Sequence, residues 1–350
     1  MKVLVLGNEG YLGCIMTEML LKEGYGVTGI DGGYFKDAEF IKKPQETLNI
    51  TQIHKDSRDL TLEDVAGHDA IIHLAALSND PAGELNPDWT QQINHEGVMR
   101  NAKLAKQAGI QRFIFSSSCS LYGAAGNSEC DETSPFNPVS TYAKCKVSVE
   151  KGLSEMADEN FSPTFMRNAT VYGASPRMRF DIVINNLSAW GYLTGKIKIL
   201  GDGTPWRPNV HARDLCNAFI ATLKAPIEDI HNEAFNVGIL NENYQVKDLA
   251  NFVAEVIPNT TVEILGEGIT NDNRSYKVNF SKIYRVLKHY KPEWNIKKGI
   301  EELYQHFQDT KLTMETFEHE DFITLKKYKN MVERGEVDEN LFILPSFFEK

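Results

Sequence analysis

The chain is notable first for what it lacks. None of its 350 residues fall in a run approaching the ~18 consecutive apolar residues of a membrane span. The one apolar stretch at the start, residues 1–6, breaks at Gly7, Asn8 and Glu9, too early for a secretory leader. Cysteine is sparse: the five (Cys14, Cys119, Cys130, Cys145, Cys216) are scattered, odd in number and without a CxxC pair. That pattern excludes a disulfide framework and a cysteine zinc site, and a reducing, cytoplasmic setting is expected. Basic residues are in deficit, 37 against 48 acidic, for a formal charge of −11. A general attraction to nucleic acid or an anionic membrane is therefore excluded, and any phosphate must be held by local groups. Repeats and low-complexity tracts are missing as well. What remains is a composition 42% hydrophobic and 24% charged, that of a globular protein able to bury one large core or two domains sharing a cleft.

Residues 2–6 read as a short buried strand. They lead into Gly7-Asn8-Glu9-Gly10-Tyr11-Leu12-Gly13, after which Leu12, Ile15, Met16, Met19 and Leu20 recur at helical spacing up to Gly24. In a strand–turn–helix of this kind the first glycine permits the tight turn and the second lets backbone approach a pyrophosphate. The third lets the helix pack on the strand, with the helix N-terminus facing the anion. A second strand, 26–30, ends at Asp31, where a carboxylate would hold ribose hydroxyls and repel a 2′-phosphate, favouring NAD over NADP although Lys36 is near. Asp56-Ser57 closes a third strand and either meets the adenine edge or is a plain turn. A fourth, 69–74, runs into Ala75-Ala76, where bulk would clash with a cofactor lying across the sheet. Helical spacing over 94–108 precedes a fifth strand, 112–115, ending in the hydroxyl-rich rim Ser116 to Gly123. Alternating strands and helices predict a parallel, doubly wound α/β sheet with its ligands at the carboxyl edge.

Within Ser140-Thr141-Tyr142-Ala143-Lys144-Cys145-Lys146 a phenol and an ammonium stand four residues apart, about one helical turn, and share a face. A cation that close is expected to lower the Tyr142 pKa from about 10 and make it a usable general base.

Taken together, Gly7, Gly10 and Gly13, the 116–123 rim, and Tyr142 with Lys146 resemble the extended short-chain dehydrogenase/reductase family of nucleotide-sugar epimerases and dehydratases. The resemblance continues through Arg167 to Gly173, Asn185-Asn186-Leu187, Gly201-Asp202-Gly203 with Arg207 and Asp214, and Arg274 ahead of Ser281-Lys282, covering roughly residues 1–308. It implies a Rossmann-type domain over 1–175, with elements around 209–238 returning to it, and a smaller interleaved α/β substrate-binding lobe over 176–208 and 239–308. It implies NAD as cofactor, contacted by Gly7, Gly10, Tyr11, Leu12, Gly13, Asp31, Asp56, Ser57, Leu74, Ala75, Ala76, Tyr142, Lys146 and Asn168. Tyr142 would be the general base or acid, Lys146 would hold the nicotinamide ribose, and Ser118 would bond the sugar hydroxyl being oxidised. Ser120, Thr170, Asn186, Leu187, Arg207 and Arg274 would complete the nucleotide-sugar site, the arginines on the diphosphate. A homodimer built from helices near 94–108 and 141–157 is implied too.

Departures from the family pattern narrow the reaction. Its dehydratases carry an Asp-Glu pair after the catalytic hydroxyl residue; here those positions are Cys119 and Ser120, so elimination is not expected. Thr170 stands where the family has asparagine. Epimerisation through a 4-keto sugar is the leading expectation, with a 4-dehydrogenase or keto-sugar reductase as the alternative and a non-catalytic NAD sensor as a third reading. Pro176-Arg177-Met178-Arg179 is either a phosphate contact or a solvated loop. Cys119 has no nearby histidine in sequence to make it a nucleophile. His73, His95 and His211 read as core residues, and Glu318 to Asp321 reads as a solvated face with no metal site. Residues 309–350 exceed the resemblance. Their stripe of Phe322, Leu325, Tyr328 and Val332 and the run 341–345 are expected to pack on this subunit or a partner and to carry no chemistry.

Overall fold

The computed structural model describes residues 1–78, 80–266 and 274–349. The strands in chain order are β1 (Lys2–Leu6), β2 (Gly26–Asp31), β3 (Thr51–His54), β4 (Ala70–His73), β5 (Arg112–Ser118), β6 (Ala124–Cys130) and β7 (Ser162–Asn168). They continue with β8 (Thr170–Tyr172), β9 (Lys196–Ile199), β10 (Trp206–His211), β11 (Glu233–Val237), β12 (Asn243–Gln245), β13 (Thr261–Ile264) and β14 (Ser275–Val278).

Seven strands form one parallel sheet in the order β11-β7-β5-β4-β1-β2-β3. Strand β1 shows why the sheet is covered on both faces. Val3 and Val5 point into the cluster holding Ile15, Met16 and Leu20 of the first helix, Tyr11–Lys22, while Leu4 and Leu6 point to the opposite cluster with Phe113, Phe115 and Val98. The strand order reverses between β1 and β4, which opens a crevice at their carboxyl ends, the place where open α/β sheets take ligands.

The second half adds a three-stranded sheet, β12-β10-β8, and two parallel pairs, β9 with β13 and β6 with β14. Strand β5 runs to Ser118, three residues beyond the reading from sequence. The rim serines are thus part of the ladder: Ser116, Ser117 and Ser118 lie opposite Met166, Arg167 and Asn168. The helix Thr141–Met156 is capped by Ser140, whose Oγ accepts from Ala143 N–H at 3.2 Å.

The C-terminal extension lies against this same subunit. Its helix Thr324–Glu333 buries Tyr328 and Met331, while Val332 of the expected stripe is exposed. Beyond it, Tyr34 donates its hydroxyl to Leu341 O at 2.6 Å and Trp89 Nε1 to Glu339 O at 2.7 Å. Arg58 stacks 3.6 Å over the Phe342 ring.

Candidate active site

The crevice between β1 and β4 continues into a cavity of about 410 Å³ that runs from the glycine turn past the rim serines to Arg207 and Arg274. Its first end is shaped by missing side chains. Gly7 has φ +88°, and a Cβ there would come 2.7 Å from Ala75 N; a Cβ on Gly13 would come 2.0 Å from Gly7 O. Only glycine closes this turn, and the closure brings the N-terminus of the first helix to the crevice. At the end of β2, the Asp31 carboxylate accepts from Glu9 N–H (3.1 Å) and Gly33 N–H (2.9 Å), which fixes it on the wall while lone pairs remain for ribose hydroxyls. Burial, and then the neighbouring Glu9 carboxylate, push its pKa up to about 6. Asp56 and Ser57 also border the crevice, Asp56 gripped by Arg58 with Nη2 to Oδ2 at 2.8 Å. Tyr11, Leu12, Leu74, Ala75 and Ala76 complete this end. A narrow glycine-walled cleft, a helix N-terminus and a fixed carboxylate fit a dinucleotide.

At the middle of the crevice stand Ser118, Tyr142 and Lys146. Ser118 lines the cavity together with Tyr142, and its Oγ accepts from Ser120 N–H at 3.1 Å. Lys146 is buried; its Nζ donates to Ser116 O at 2.6 Å and lies 5.3 Å from the Tyr142 ring centre. Asn168 Nδ2 donates to Ser116 Oγ at 2.9 Å, and Thr170 borders the cavity beside it. Glu150, one turn beyond Lys146, holds Arg167 through a buried ion pair at 2.8 Å and accepts from Ser117 Oγ at 2.5 Å, locking the helix to the rim.

One expectation about this centre is corrected. The Tyr142 pKa is not lowered: its burial in the crevice pushes it up to about 12, and the cation that pulls it back is Arg179 rather than Lys146. Lys146 spends its charge on Ser116 O, and burial brings its own pKa down to about 8. The four-residue spacing places the two side chains together but does not decide the balance between attraction and desolvation.

At the far end Arg207 and Arg274 both border the cavity, Arg207 Nη1 donating to Arg274 O at 2.5 Å and Arg274 pairing with Asp80. Asn186 and Leu187 do not reach it. Asn186 Nδ2 donates to Phe180 O at 2.9 Å and Leu187 is buried in the core. Asp181, Ile182 and Val183 line the cavity in their place.

Of the two readings that the sequence leaves open for Pro176 to Arg179 the structure removes one, and it adds a further residue to the wall. Arg177 and Arg179 are buried on the cavity wall, so Pro176 to Arg179 is no solvated loop, and Tyr328 of the extension borders the cofactor end. The basic run was the only local signal for the first two. For Tyr328 there was none. Cys119, by contrast, is fully buried, its thiol raised by burial and donating to Arg167 O at 3.1 Å. His211 is a core residue paired with Glu302 at 2.9 Å, and His73 is buried with its pKa held down to about 3 by desolvation. Glu320 and Asp321 are tied up by Arg334 and Lys327, and no cluster able to hold a metal ion occurs among the described residues.

A glycine-walled crevice at a sheet switch point, with a serine, tyrosine and lysine at its centre, defines a dinucleotide-dependent enzyme of the short-chain dehydrogenase/reductase type. The chain belongs to the NAD dependent epimerase/dehydratase family, whose pattern matches residues 3–238. It is 28% identical over 262 residues to a UDP-glucose 4-epimerase of Lactobacillus helveticus, covering 68% of this chain and 76% of that one. To a UDP-glucuronate 4-epimerase of Thermodesulfobacterium geofontis it is 26% identical over 310 residues, 85% and 93% of the two chains. Among solved structures, the Thermotoga maritima UDP-glucose 4-epimerase with UDP-glucose shares the fold with a TM-score of 0.77 at 23% identity, over 89% of this chain and all of that one. An NAD-dependent NDP-hexosamine 5,6-dehydratase of tunicamycin biosynthesis does so with a TM-score of 0.77 at 21% identity, over 88% and 98%. The enzyme is thus an NAD-dependent nucleotide-sugar epimerase/oxidoreductase.

Proposed function

We propose that the chain is a nucleotide-sugar 4-epimerase acting through a transient 4-keto sugar. The observation that carries this reading is the grouping of Ser118 and Tyr142 on one cavity wall beside buried Lys146, between a dinucleotide cleft and an arginine-lined end. NAD, when bound, supplies hydride acceptance and return. Ser118 orients the sugar hydroxyl, Tyr142 takes its proton and later gives it back, Arg179 supplies positive charge that favours the phenolate, and Lys146 holds the nicotinamide ribose. Arg207 and Arg274 hold the nucleotide diphosphate at the far end.

Elimination is disfavoured on two counts. Cys119 is buried, and Ser120, which does border the cavity, offers a hydroxyl rather than a carboxyl. The residues adjoining Ser118 therefore provide no second acid and base for loss of water. The reading extends to a cytoplasmic homodimer joined through the helices Val98–Gln107 and Thr141–Met156, whose outward residues include Lys103, Lys144 and Lys151.

The test is to incubate the purified protein with UDP-, GDP-, CDP- and dTDP-sugars, following stereoisomers by NMR and NADH by absorbance. Interconversion of two stereoisomers without net NADH is expected. Stoichiometric NADH with a keto product would replace the epimerase by a dehydrogenase.

A further inference from the structure

Arg177 is among the largest fully buried side chains of the protein, 2% exposed, and lies two residues before Arg179 on the turn after β8. Its guanidinium sits 3.7 Å over the Phe35 ring, and Nη2 donates to Thr324 Oγ1 at 3.0 Å. Nε has no acceptor, and among the described residues no carboxylate forms an ion pair with it. A guanidinium so placed is costly unless an anion answers it. Burial and the adjacent Arg179 cation bring its pKa down to about 10, with the Asp181 carboxylate, held by Arg179 at 2.9 Å, pulling the other way.

Its position says which anion is missing. Two residues before Arg177, Ser175 Oγ donates at 2.7 Å to the carbonyl of Tyr11, in the first turn of the twelve-residue helix Tyr11–Lys22, and the Arg177 side chain borders the crevice along with Gly10, Tyr11 and Phe35. Backbone N–H groups and the helix dipole already favour an anion at this point. We infer that Arg177 binds the diphosphate of the dinucleotide cofactor, and that the C-terminal extension holds it in place through Thr324 and Tyr328. A 2′-phosphate is the poorer candidate, because the Asp31 carboxylate at the ribose end repels it. The substrate diphosphate has Arg207 and Arg274 at the other end of the cavity. The extension therefore has a part in cofactor binding that its sequence does not announce: Thr324 uses one guanidinium donor, and Tyr328 closes the same wall.

The test measures binding of ADP, adenosine and 2′-AMP by calorimetry to wild type, Arg177→Met, Arg177→Lys and Thr324→Val. Arg177→Met should weaken ADP at least tenfold and leave adenosine within twofold. Arg177→Lys should recover part of the ADP affinity, and Thr324→Val should weaken ADP by about two- to fivefold. Equal losses for ADP and adenosine would make the role merely structural and overturn the proposal. A larger loss for 2′-AMP than for ADP, or no loss at all, would overturn it too. If Arg177→Met does not fold, Thr324→Val decides the matter, because it keeps the buried charge: a loss confined to ADP supports the proposal, and an equal or absent loss refutes it.

Discussion

Replacing Lys146 by Met should stabilise the protein near neutral pH while crippling its chemistry. Lys146 is 3% exposed, and burial brings its pKa down from 10.5 to about 8. At about 1.36 kcal/mol per pH decade, keeping it charged in the folded protein at pH 7 costs roughly 3 kcal/mol. Removing it relieves that cost but forfeits the charged hydrogen bond to Ser116 O, worth about 1.5–3 kcal/mol. The variant should therefore range from break-even to about 1.5 kcal/mol more stable at pH 7. The sign with pH follows from the depressed value. Between pH 8 and 10.5 the unfolded chain still holds a proton that the folded chain has shed, so wild-type stability climbs through that window. The variant has no such group. Near pH 10.5 the buried amine is neutral and the penalty has gone, the variant lacks only a neutral hydrogen bond worth about 0.5–1.5 kcal/mol, and the order reverses. Urea unfolding of both proteins at pH 7, 9 and 10.5 measures this. Turnover should meanwhile fall on the order of 10²-fold, the effect of a nicotinamide misplaced by about 1 Å once the ammonium that holds its ribose is lost. A stability difference unchanged across the three pH values would refute the claim that Lys146 is held at a desolvation cost.

Three further outcomes are expected. Tyr142→Phe should lower turnover by about 10²–10⁴ while NAD binding, read by fluorescence, is unchanged, because it removes only the proton carrier. Asp31→Asn should weaken NAD and narrow its advantage over NADP; in the wild type NAD affinity should fall between pH 7 and 5, as the carboxyl titrating near 6 protonates and loses its charge-assisted acceptance. Gly13→Ala places a methyl 2.0 Å from Gly7 O, backbone that cannot swing aside. It should cost at least about 1–3 kcal/mol in thermal denaturation and abolish retention of NAD on gel filtration.

Much of the site was legible because it is written locally. The glycine turn follows from three residues within seven positions, and a run of strands alternating with helices leads to one parallel sheet. Tyr142 and Lys146 are one turn apart, and a helix capped by Ser140 must present them together. The misreadings concern where a side chain ends up. Asn186 and Leu187 sit in a matching stretch, yet the Asn186 amide is taken up by Phe180 O and Leu187 is buried in the core. Arg177 and Arg179, which the sequence leaves open between a phosphate contact and a solvated loop, are buried once the extension packs over their turn.

By itself, then, the amino-acid order determines the alternation of elements, the switch point they create and the pairing of phenol with ammonium, because each depends on periodicity or spacing within a few residues. Tertiary packing alone decides whether Tyr142 is more or less acidic, which arginines lose their water, and that Tyr328, far along the chain, shares a wall with Gly7. The physical reason is that desolvation and charge balance depend on everything surrounding a group, and those surroundings are assembled from parts of the chain that are distant in sequence.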